Sequence, residues 1–152
     1  MTGTFEKNAA VNSAADSDIF LSYPVGPMPE VLSPCGSLES LEAALKTGAD
    51  AVYAGAKRFS ARHNAKNFDR EELALAVRLC HRYGAKLYQA VNTCVLDWEL
   101  SDLAGEIKYA CEIGVDGLII QDRAAEYIAR TACPETHIHA CLLYTSDAAD
   151  AL

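Results

Sequence analysis

The two residues best suited to acid–base chemistry in this sequence are Asp122 and His139. A histidine titrates near neutral pH, and a carboxylate beside it could exchange protons with it or with a substrate. Each residue also has an ordinary structural role open to it. Asp122 directly precedes a helical pattern and is of a type that caps helices, whereas His139 could be a hydrogen-bonded histidine within a sheet. The sequence leaves both roles open for both residues.

Four further residues have side chains suited to holding a substrate: Arg62, Asn67, Asn92 and Gln121. The amides of Asn and Gln are uncharged and both donate and accept hydrogen bonds, so they position a substrate rather than transfer protons. Arg62 adds a permanent positive charge to this set. Together these residues predict a binding site in which two candidate proton-transfer groups stand beside three uncharged amides and one positive charge.

The candidates follow segments that the apolar pattern predicts as strands. Short apolar runs occur at 31–34, 51–54, 86–91 and 117–120, and a fifth begins at 137–139. Apolar residues recur at helical spacing between these runs, which predicts helices. Alternating strands and helices are typical of an α/β fold with a parallel sheet, either doubly wound or closed into a barrel. In a barrel, functional side chains lie at the carboxyl ends of the strands, where these candidates stand.

Local residues mark where the predicted helices begin and end. Ser37 is a typical N-cap, and Asp69 with Glu72 three residues later forms a capping-box pattern. Three glycines are placed to end helices: Gly48, Gly84 and Gly114. The fourth helix precedes Pro134, and its predicted buried stripe is Ala124, Tyr127, Ile128 and Thr131. No G-x-G-x-x-G or P-loop motif follows a strand, which disfavours a nucleotide-binding domain.

The six cysteines form no C-x-x-C pair, so their spacing predicts no zinc or iron–sulfur site and no metal ligand. We expect reduced thiols rather than disulfides, because the first residues contain neither a basic leader nor an apolar segment. Cys80 and Cys111 fall on helical apolar stripes, where cysteine acts as a small hydrophobe. Neither a G-x-S-x-G nor an H-E-x-x-H motif is present. A Cys35–His139 pair is the remaining hydrolytic hypothesis.

Charge and hydropathy restrict the partners. The formal net charge is −8, which disfavours a protein that coats nucleic acid, and we expect no DNA partner. No apolar run approaches the roughly 20 residues needed to span a bilayer. We therefore expect a cytoplasmic protein without a membrane partner.

Basic residues are nevertheless concentrated in one part of the chain. Eight of the thirteen lie between positions 57 and 86, against three acidic residues. The members of this basic cluster are Lys57, Arg58, Arg62, Lys66, Arg70, Arg78, Arg82 and Lys86. The cluster is most simply interpreted as the solvated surface of helices, and the alternative is a local site for an anionic substrate such as RNA.

Several ordered motifs resemble the opening of the peptidase U32 (collagenase-like) family. They are Ser33-Pro34-Cys35-Gly36-Ser37-Leu38-Glu39, the run 48–55, Phe59-Ser60-Ala61-Arg62, Asn67-Phe68, Val91-Asn92-Thr93, the run 114–122 and Ile138-His139-Ala140. Two departures stand out. The family usually has Ala where Cys35 stands, so a nucleophilic role for Cys35 is disfavoured. After Ala140 the family pattern stops, and the following residues can be encoded by a run of codons that resembles a transposase-type library adapter.

The resemblance implies a fold and a domain organisation. The family is similar to a TIM-type (β/α)8 barrel, so the chain is expected to supply its N-terminal half, truncated after about four βα units and a fifth strand. Residues 1–28 are expected to be a flexible leader, 29–140 a partial barrel domain, and 141–152 an adapter-derived, non-native tail.

The resemblance also implies a range of activities. The family label is a collagenase-like protease acting on peptides or proteins. The alternative is hydroxylation of tRNA, rRNA or a ubiquinone precursor, with a [4Fe–4S] cluster held by cysteines in the later part of the domain. No cofactor is expected in this part of the chain. The non-enzymatic hypothesis is an inert fragment, and the truncated chain is expected to be inactive by itself.

Overall fold

The computed structural model describes residues 29–61 and 66–141. The predicted leader, most of the predicted tail and Arg62 lie outside these ranges. The strands are β1 (Leu32–Cys35), β2 (Ala51–Gly55), β3 (Lys86–Val91), β4 (Gly117–Ile120) and β5 (His137–Ala140). The helices are α1 (Leu38–Lys46), α2 (Arg70–Tyr83), α3 (Leu100–Glu112) and α4 (Arg123–Ala132), and a single 3₁₀ turn, Asp97–Glu99, precedes α3.

The five strands form one parallel sheet whose order follows the chain, β1-β2-β3-β4-β5. This confirms the predicted α/β class with a parallel sheet. A doubly wound sheet reverses its strand order at a switch point, and the described strands contain no such reversal. The sequence pattern had left the two arrangements open, because both produce the same alternation of strands and helices.

The sheet has two distinct faces, which alternate along each strand. One face packs against the helices and contributes Cys35, Ala54, Leu118 and, more peripherally, Ile138 to the hydrophobic core. The residues on the opposite face, which we call the open face, include Tyr53, Tyr88, Ile119 and His139. His139 is exposed there, whereas Tyr88 is buried. The helix-covered face therefore supplies the apolar core of the described chain.

The local helix boundaries follow the sequence patterns. The Ser37 side chain accepts a hydrogen bond from the Ser40 amide, and Asp69 forms the predicted capping box with Glu72. Gly84 and Gly114 follow α2 and α3 with φ of 73° and 83°, a region where side chains with a Cβ are strained. These caps depend on neighbouring residues alone, which is why the sequence predicts them.

The buried face of α4 differs from the prediction. Tyr127 and Thr131 are exposed, and the residues packed into the core are Ala125 and Ala129, with Ile128 partly buried. The helix presents small residues four positions apart to its neighbours. The predicted stripe includes the larger side chains of Tyr127 and Thr131. These two positions lie on the part of the helix surface that faces away from the sheet.

The expectation of six reduced thiols is wrong for two cysteines. Cys111 near the end of α3 and Cys133 after α4 form a disulfide, with a Cα–Cα distance of 6.4 Å. Their spacing of 22 residues contains no local signal for pairing. The side-by-side packing of α3 and α4 brings them together, and this packing is a tertiary feature. Cys80, by contrast, is fully buried in the core as predicted.

In the described ranges, no helix combines the length and the apolar character required to cross a bilayer.

Candidate functional site

The predicted site residues gather at the carboxyl edge of the sheet. Asn92 follows β3, Gln121 follows β4, and Cys141 follows β5. The connection from β2 to α2 begins at this same edge, because all the strands are parallel. In parallel α/β folds this edge is where ligands bind. Among the predicted site residues, Arg62 lies outside the described ranges.

Asn92 joins three segments of this edge. Its Oδ1 accepts a hydrogen bond from the Ala61 amide at 3.0 Å, and its Nδ2 donates to Cys141 Sγ at 3.5 Å. Its own amide donates to the Phe59 carbonyl at 2.9 Å. Asn92 is 7% exposed, so these contacts account for much of its hydrogen-bonding surface. In this structure Asn92 positions the connections after β2 and β5.

The connection after β2 contains a strained residue. Phe59 has φ of 59°, the one positive value for a residue other than glycine in the described chain. A left-handed conformation is unfavourable for an aromatic residue and persists only where surrounding contacts impose it. The hydrogen bond from the Asn92 amide supplies one such contact, and the Arg58 guanidinium lies 4.9 Å from the centre of the Phe59 ring.

Gln121 retains hydrogen-bonding capacity. Its Nε2 lies 3.9 Å from Cys94 Sγ, which is a weak donor contact, and its buried Oε1 has no hydrogen-bond partner in the described chain. Gln121 also lines a cavity of about 290 Å³ between α4 and the ends of β4 and β5. Gln121 therefore combines an unpartnered amide oxygen with a place in the cavity wall, and an amide of this kind is suited to hold a ligand.

Asp122 acts as a helix cap. Its Oδ1 accepts a hydrogen bond from the Ala124 amide at 2.7 Å, and its Oδ2 accepts one from the Val95 amide at 3.1 Å. Both carboxylate oxygens therefore bind backbone. No hydrogen bond or ion pair within the described ranges joins Asp122 to His139. The capping role that the sequence left open is present, and the catalytic role stays a prediction.

His139 lies on the open face of β5 and contacts Tyr88, with ring centroids 4.7 Å apart. Gly117 stands between their strands and has no side chain, and a Cβ there would lie 3.1 Å from the Tyr88 ring. The Tyr88 hydroxyl donates to Glu30 at 3.2 Å. Burial, followed by the Glu30 carboxylate, raises the pKa of Tyr88. The tyrosine therefore stays neutral near pH 7 and supports the imidazole from one side.

The Cys35–His139 pair suggested by the sequence is not formed. The strand register places Cys35 on the same face as Ala54, Gln89, Leu118 and Ile138, and His139 on the opposite face. Cys35 is also almost fully buried. Burial raises the pKa of the neighbouring Cys80 thiol to about 12, so Cys80 is neutral and unreactive as well. A protease dyad built on Cys35 is excluded in this structure.

Acidic residues partly neutralise the basic cluster. Four of its members form ion pairs, and three of the acids lie outside the 57–86 segment, two of them on α3. The pairs are Lys57–Asp69, Arg58–Asp102, Arg70–Glu106 and Lys86–Glu30. Lys66, Arg78 and Arg82 are exposed. The interpretation of the cluster as a solvated surface therefore describes most of its members. Lys66 lies close to the carboxyl edge, and among the described residues it has no ion-pair partner.

The sequence analysis missed two buried polar residues, Ser60 at this edge and Gln89 within β3 on the helix-covered face. Ser60 and Gln89 are both buried, and neither the Ser60 hydroxyl nor either amide atom of Gln89 has a hydrogen-bond partner in the described chain. Gln89 could have been found as the polar residue inside the apolar run 86–91. Ser60 stands in the motif Phe59-Ser60-Ala61-Arg62, but only the tertiary structure shows that its hydroxyl is enclosed.

The described cysteines and carboxylates do not suit a cluster or a metal ion. No group of three His, Cys, Asp or Glu side chains within the described ranges is placed to bind a metal. Cys35 and Cys80 are enclosed in the core, and Cys111 and Cys133 bond to each other. These residues do not fit a [4Fe–4S] cluster.

Replacing Gln89 with leucine should stabilise the chain by about 1–3 kcal/mol, because a buried amide without partners carries an uncompensated desolvation cost. Leucine has a similar volume and adds an apolar side chain to a layer that already contains Leu87 and Leu118. Urea denaturation followed by circular dichroism would measure the change. A lower stability would mean that the Gln89 amide has a partner that leucine removes.

Comparison with known proteins identifies the family. The profile of "Peptidase family U32" matches residues 36–150. The chain is 38% identical over 111 residues to tRNA hydroxylation protein P of Escherichia coli, covering 73% of this chain and 24% of that protein. It is 40% identical over 111 residues to the 23S rRNA 5-hydroxycytidine C2501 synthase of E. coli (73% and 16%), and 36% identical over 110 residues to a collagenase of Porphyromonas gingivalis (72% and 27%).

The chain spans about a quarter of the length of the first two of the curated relatives it matches. The matched region nevertheless includes all the described candidate residues. They are Asn67, Asn92, Gln121, Asp122 and His139. A profile match over this much of the chain, with several relatives above 30% identity, establishes its membership. The chain belongs to peptidase family U32.

Proposed function

We propose that this chain forms the first part of a TIM-type barrel in a protein that hydroxylates RNA. The sequential parallel strands support a barrel wall, and β1 and β5 each pair on one side only in the described chain. Further βα units would continue the sheet from β5. An RNA substrate would place the protein in the cytoplasm.

The observation that carries the RNA proposal is the chemistry of the carboxyl edge. Hydrolysis of a peptide needs an activated nucleophile or water. The Cys35–His139 pair is split between two faces, and the Asp122 carboxylate is committed to backbone amides. Among the described residues of this edge, the buried side chains with remaining hydrogen-bonding capacity, Gln121 and Ser60, are uncharged. Such groups bind and orient a substrate, and the redox chemistry of hydroxylation would come from a cofactor held by other parts of the protein.

The names of the relatives favour the same proposal. Two of the three compared above are named for hydroxylation of tRNA or for synthesis of a hydroxylated rRNA nucleoside. The third is named a collagenase, which keeps peptide hydrolysis as the competing function. The family label alone does not choose between them, because one fold supports many chemistries.

The proposal is tested with the protein expressed from its complete gene in a bacterial host that lacks its own RNA hydroxylation genes. Digested tRNA and rRNA are analysed by mass spectrometry for nucleosides that gain one oxygen atom, and the same purified protein is incubated with gelatin. Gain of a hydroxylated nucleoside without gelatin cleavage supports the proposal. Gelatin cleavage without any change in RNA supports the peptidase function and contradicts ours.

Within that experiment, Gln121→Leu should reduce the yield of hydroxylated nucleoside about tenfold, the effect of losing one hydrogen bond of about 1.4 kcal/mol. Leu75→Ala on the solvated side of α2 is the matched control and should leave the yield unchanged. Equal yields from wild type and Gln121→Leu would remove Gln121 from the substrate site.

RNA binding by this protein should weaken steeply with salt. If Arg62 and Lys66 contact phosphates, their joint replacement by alanine should lower the log–log slope of affinity against salt by roughly 0.7–0.9 per lost contact. Retention of tRNA on a filter across a salt series measures the slope. The control is the double variant Arg78→Ala with Arg82→Ala. Both residues are exposed cations on α2, and Arg82 lies in the last turn of this helix, near the amino ends of the strands. A larger change in the control than in the test variant would contradict this assignment.

A further inference from the structure

The end of β2 contains a polar recess on the open face of the sheet. Gly55 pairs with Ala90 of β3, and the same register continues through Ile119 to His139. A Cβ on Gly55 would collide with the Ser60 hydroxyl oxygen and would lie 2.9 Å from Asn67 Oδ1. Two polar atoms therefore occupy the space that any other residue at position 55 would fill.

The hydroxyl of Ser60 in this recess has an unused hydrogen-bonding capacity. Ser60 is 3% exposed, and its Oγ has no partner in the described chain. Buried hydroxyl groups are almost always hydrogen-bonded, and each unpaired one costs stability. A buried group that is left unpaired beside a ligand-binding edge is typical of a site that a ligand completes.

Neighbouring contacts fix the position of Ser60 independently of its own side chain. The residue before it, Phe59, accepts a hydrogen bond from the Asn92 amide, and the residue after it, Ala61, donates one to Asn92 Oδ1. Phe59 adopts its left-handed conformation at this point. The strained backbone directs the Ser60 side chain back over Gly55, so the hydroxyl is held in place before any ligand arrives.

We propose that the Ser60 hydroxyl, set over Gly55 and beside Asn67, hydrogen-bonds an uncharged hydroxyl or amide group of the RNA substrate, in its ribose or its base. This inference rests on the proposed function. Among the described residues, the polar side chain beside Ser60 at Gly55 is the uncharged amide of Asn67, so the recess matches a neutral polar group rather than a phosphate. Ser60 is thereby a substrate-positioning residue of the carboxyl edge.

The test uses the complete protein and two variants of the recess. Ser60→Ala removes the hydroxyl and leaves the backbone contacts to Asn92 in place. Gly55→Ala places a methyl group where the Ser60 hydroxyl and Asn67 Oδ1 lie and displaces them. We expect both to weaken retention of total tRNA or rRNA and to raise the KM for hydroxylation about tenfold, while Ser60→Ala leaves the melting temperature unchanged or slightly higher. The matched controls are Ser101→Ala and Gly105→Ala, at exposed positions of α3, the latter with no atom near the added Cβ.

The outcomes separate this inference from the proposed function. Wild-type hydroxylation of RNA with an unchanged KM in Ser60→Ala overturns the role of Ser60 and leaves the proposed function standing. A lower melting temperature with unchanged RNA binding in Ser60→Ala assigns the hydroxyl to stability and also overturns it. A wild-type protein that neither binds nor hydroxylates tRNA and rRNA overturns both proposals.

Discussion

Replacing Phe68 with alanine should lower the free energy of unfolding by about 3–5 kcal/mol, the cost of removing a buried aromatic side chain from a packed core. Phe68 is 1% exposed and packs in the same cluster as Phe59 and Leu73. Its backbone is also fixed, because its amide donates to the Gly55 carbonyl and its carbonyl accepts from the Lys57 amide. The loss should therefore come from the cavity rather than from an unpaired backbone.

Urea denaturation of this chain would measure the effect of Phe68→Ala, and Tyr127→Ala is the matched control. Tyr127 is an aromatic residue of similar size that is 74% exposed on α4, so its removal should change stability by less than about 0.5 kcal/mol. Phe68→Ala should also loosen the connection that carries Ser60 and Asn67. A loss below about 1 kcal/mol would contradict the enclosed position of Phe68.

Asp122→Ala should destabilise the chain by about 2–3 kcal/mol. The cap of α4 accounts for about 1 kcal/mol, and the Val95 amide left without an acceptor accounts for about 1–2 kcal/mol more. Asp122→Asn keeps one acceptor oxygen and should lose less than half as much. Thermal and urea unfolding of the three proteins would measure these differences.

The same variants separate capping from catalysis. If Asp122 acts only through position, Asp122→Asn in the complete protein should retain most of the activity that Asp122→Ala loses. Loss of activity in Asp122→Asn with unchanged stability would instead support the acid–base role that the sequence suggested for Asp122. A lost hydrogen bond from the Val95 amide would not explain that result, because the asparagine carbonyl can still accept it.

Local features of the fold were predictable because their causes lie within a few residues. The capping box of Asp69 and Glu72 is visible in the sequence, as is the left-handed glycine at position 84. The positions of β2, β3 and β4 were predictable for the same reason, since each follows closely after a helix-ending glycine. The order of those strands was not predictable, because a doubly wound sheet and a barrel wall share one pattern.

Features of the site depended on contacts between distant residues. Asn92 was correctly placed at the carboxyl edge, but its bonds to Ala61 and Cys141 join residues 31 and 49 positions away. The Cys111–Cys133 disulfide and the enclosure of Ser60 over Gly55 likewise follow from tertiary packing. Strand register decided the Cys35–His139 question, because an odd offset along the strands places two side chains on opposite faces.

The sequential order of the strands also bears on how the chain is made. Each strand from β2 to β5 pairs with the one synthesised just before it, so each of these strands finds its first partner already made. A nascent chain leaving the ribosome can therefore add one strand and one helix at a time to a growing sheet. At every stage the newest strand presents an unpaired edge, as β5 does among the described residues, and that edge is a template for the next strand or for a neighbouring copy. A chaperone that covers the edge of the newest strand during synthesis would prevent it from pairing with a neighbouring copy.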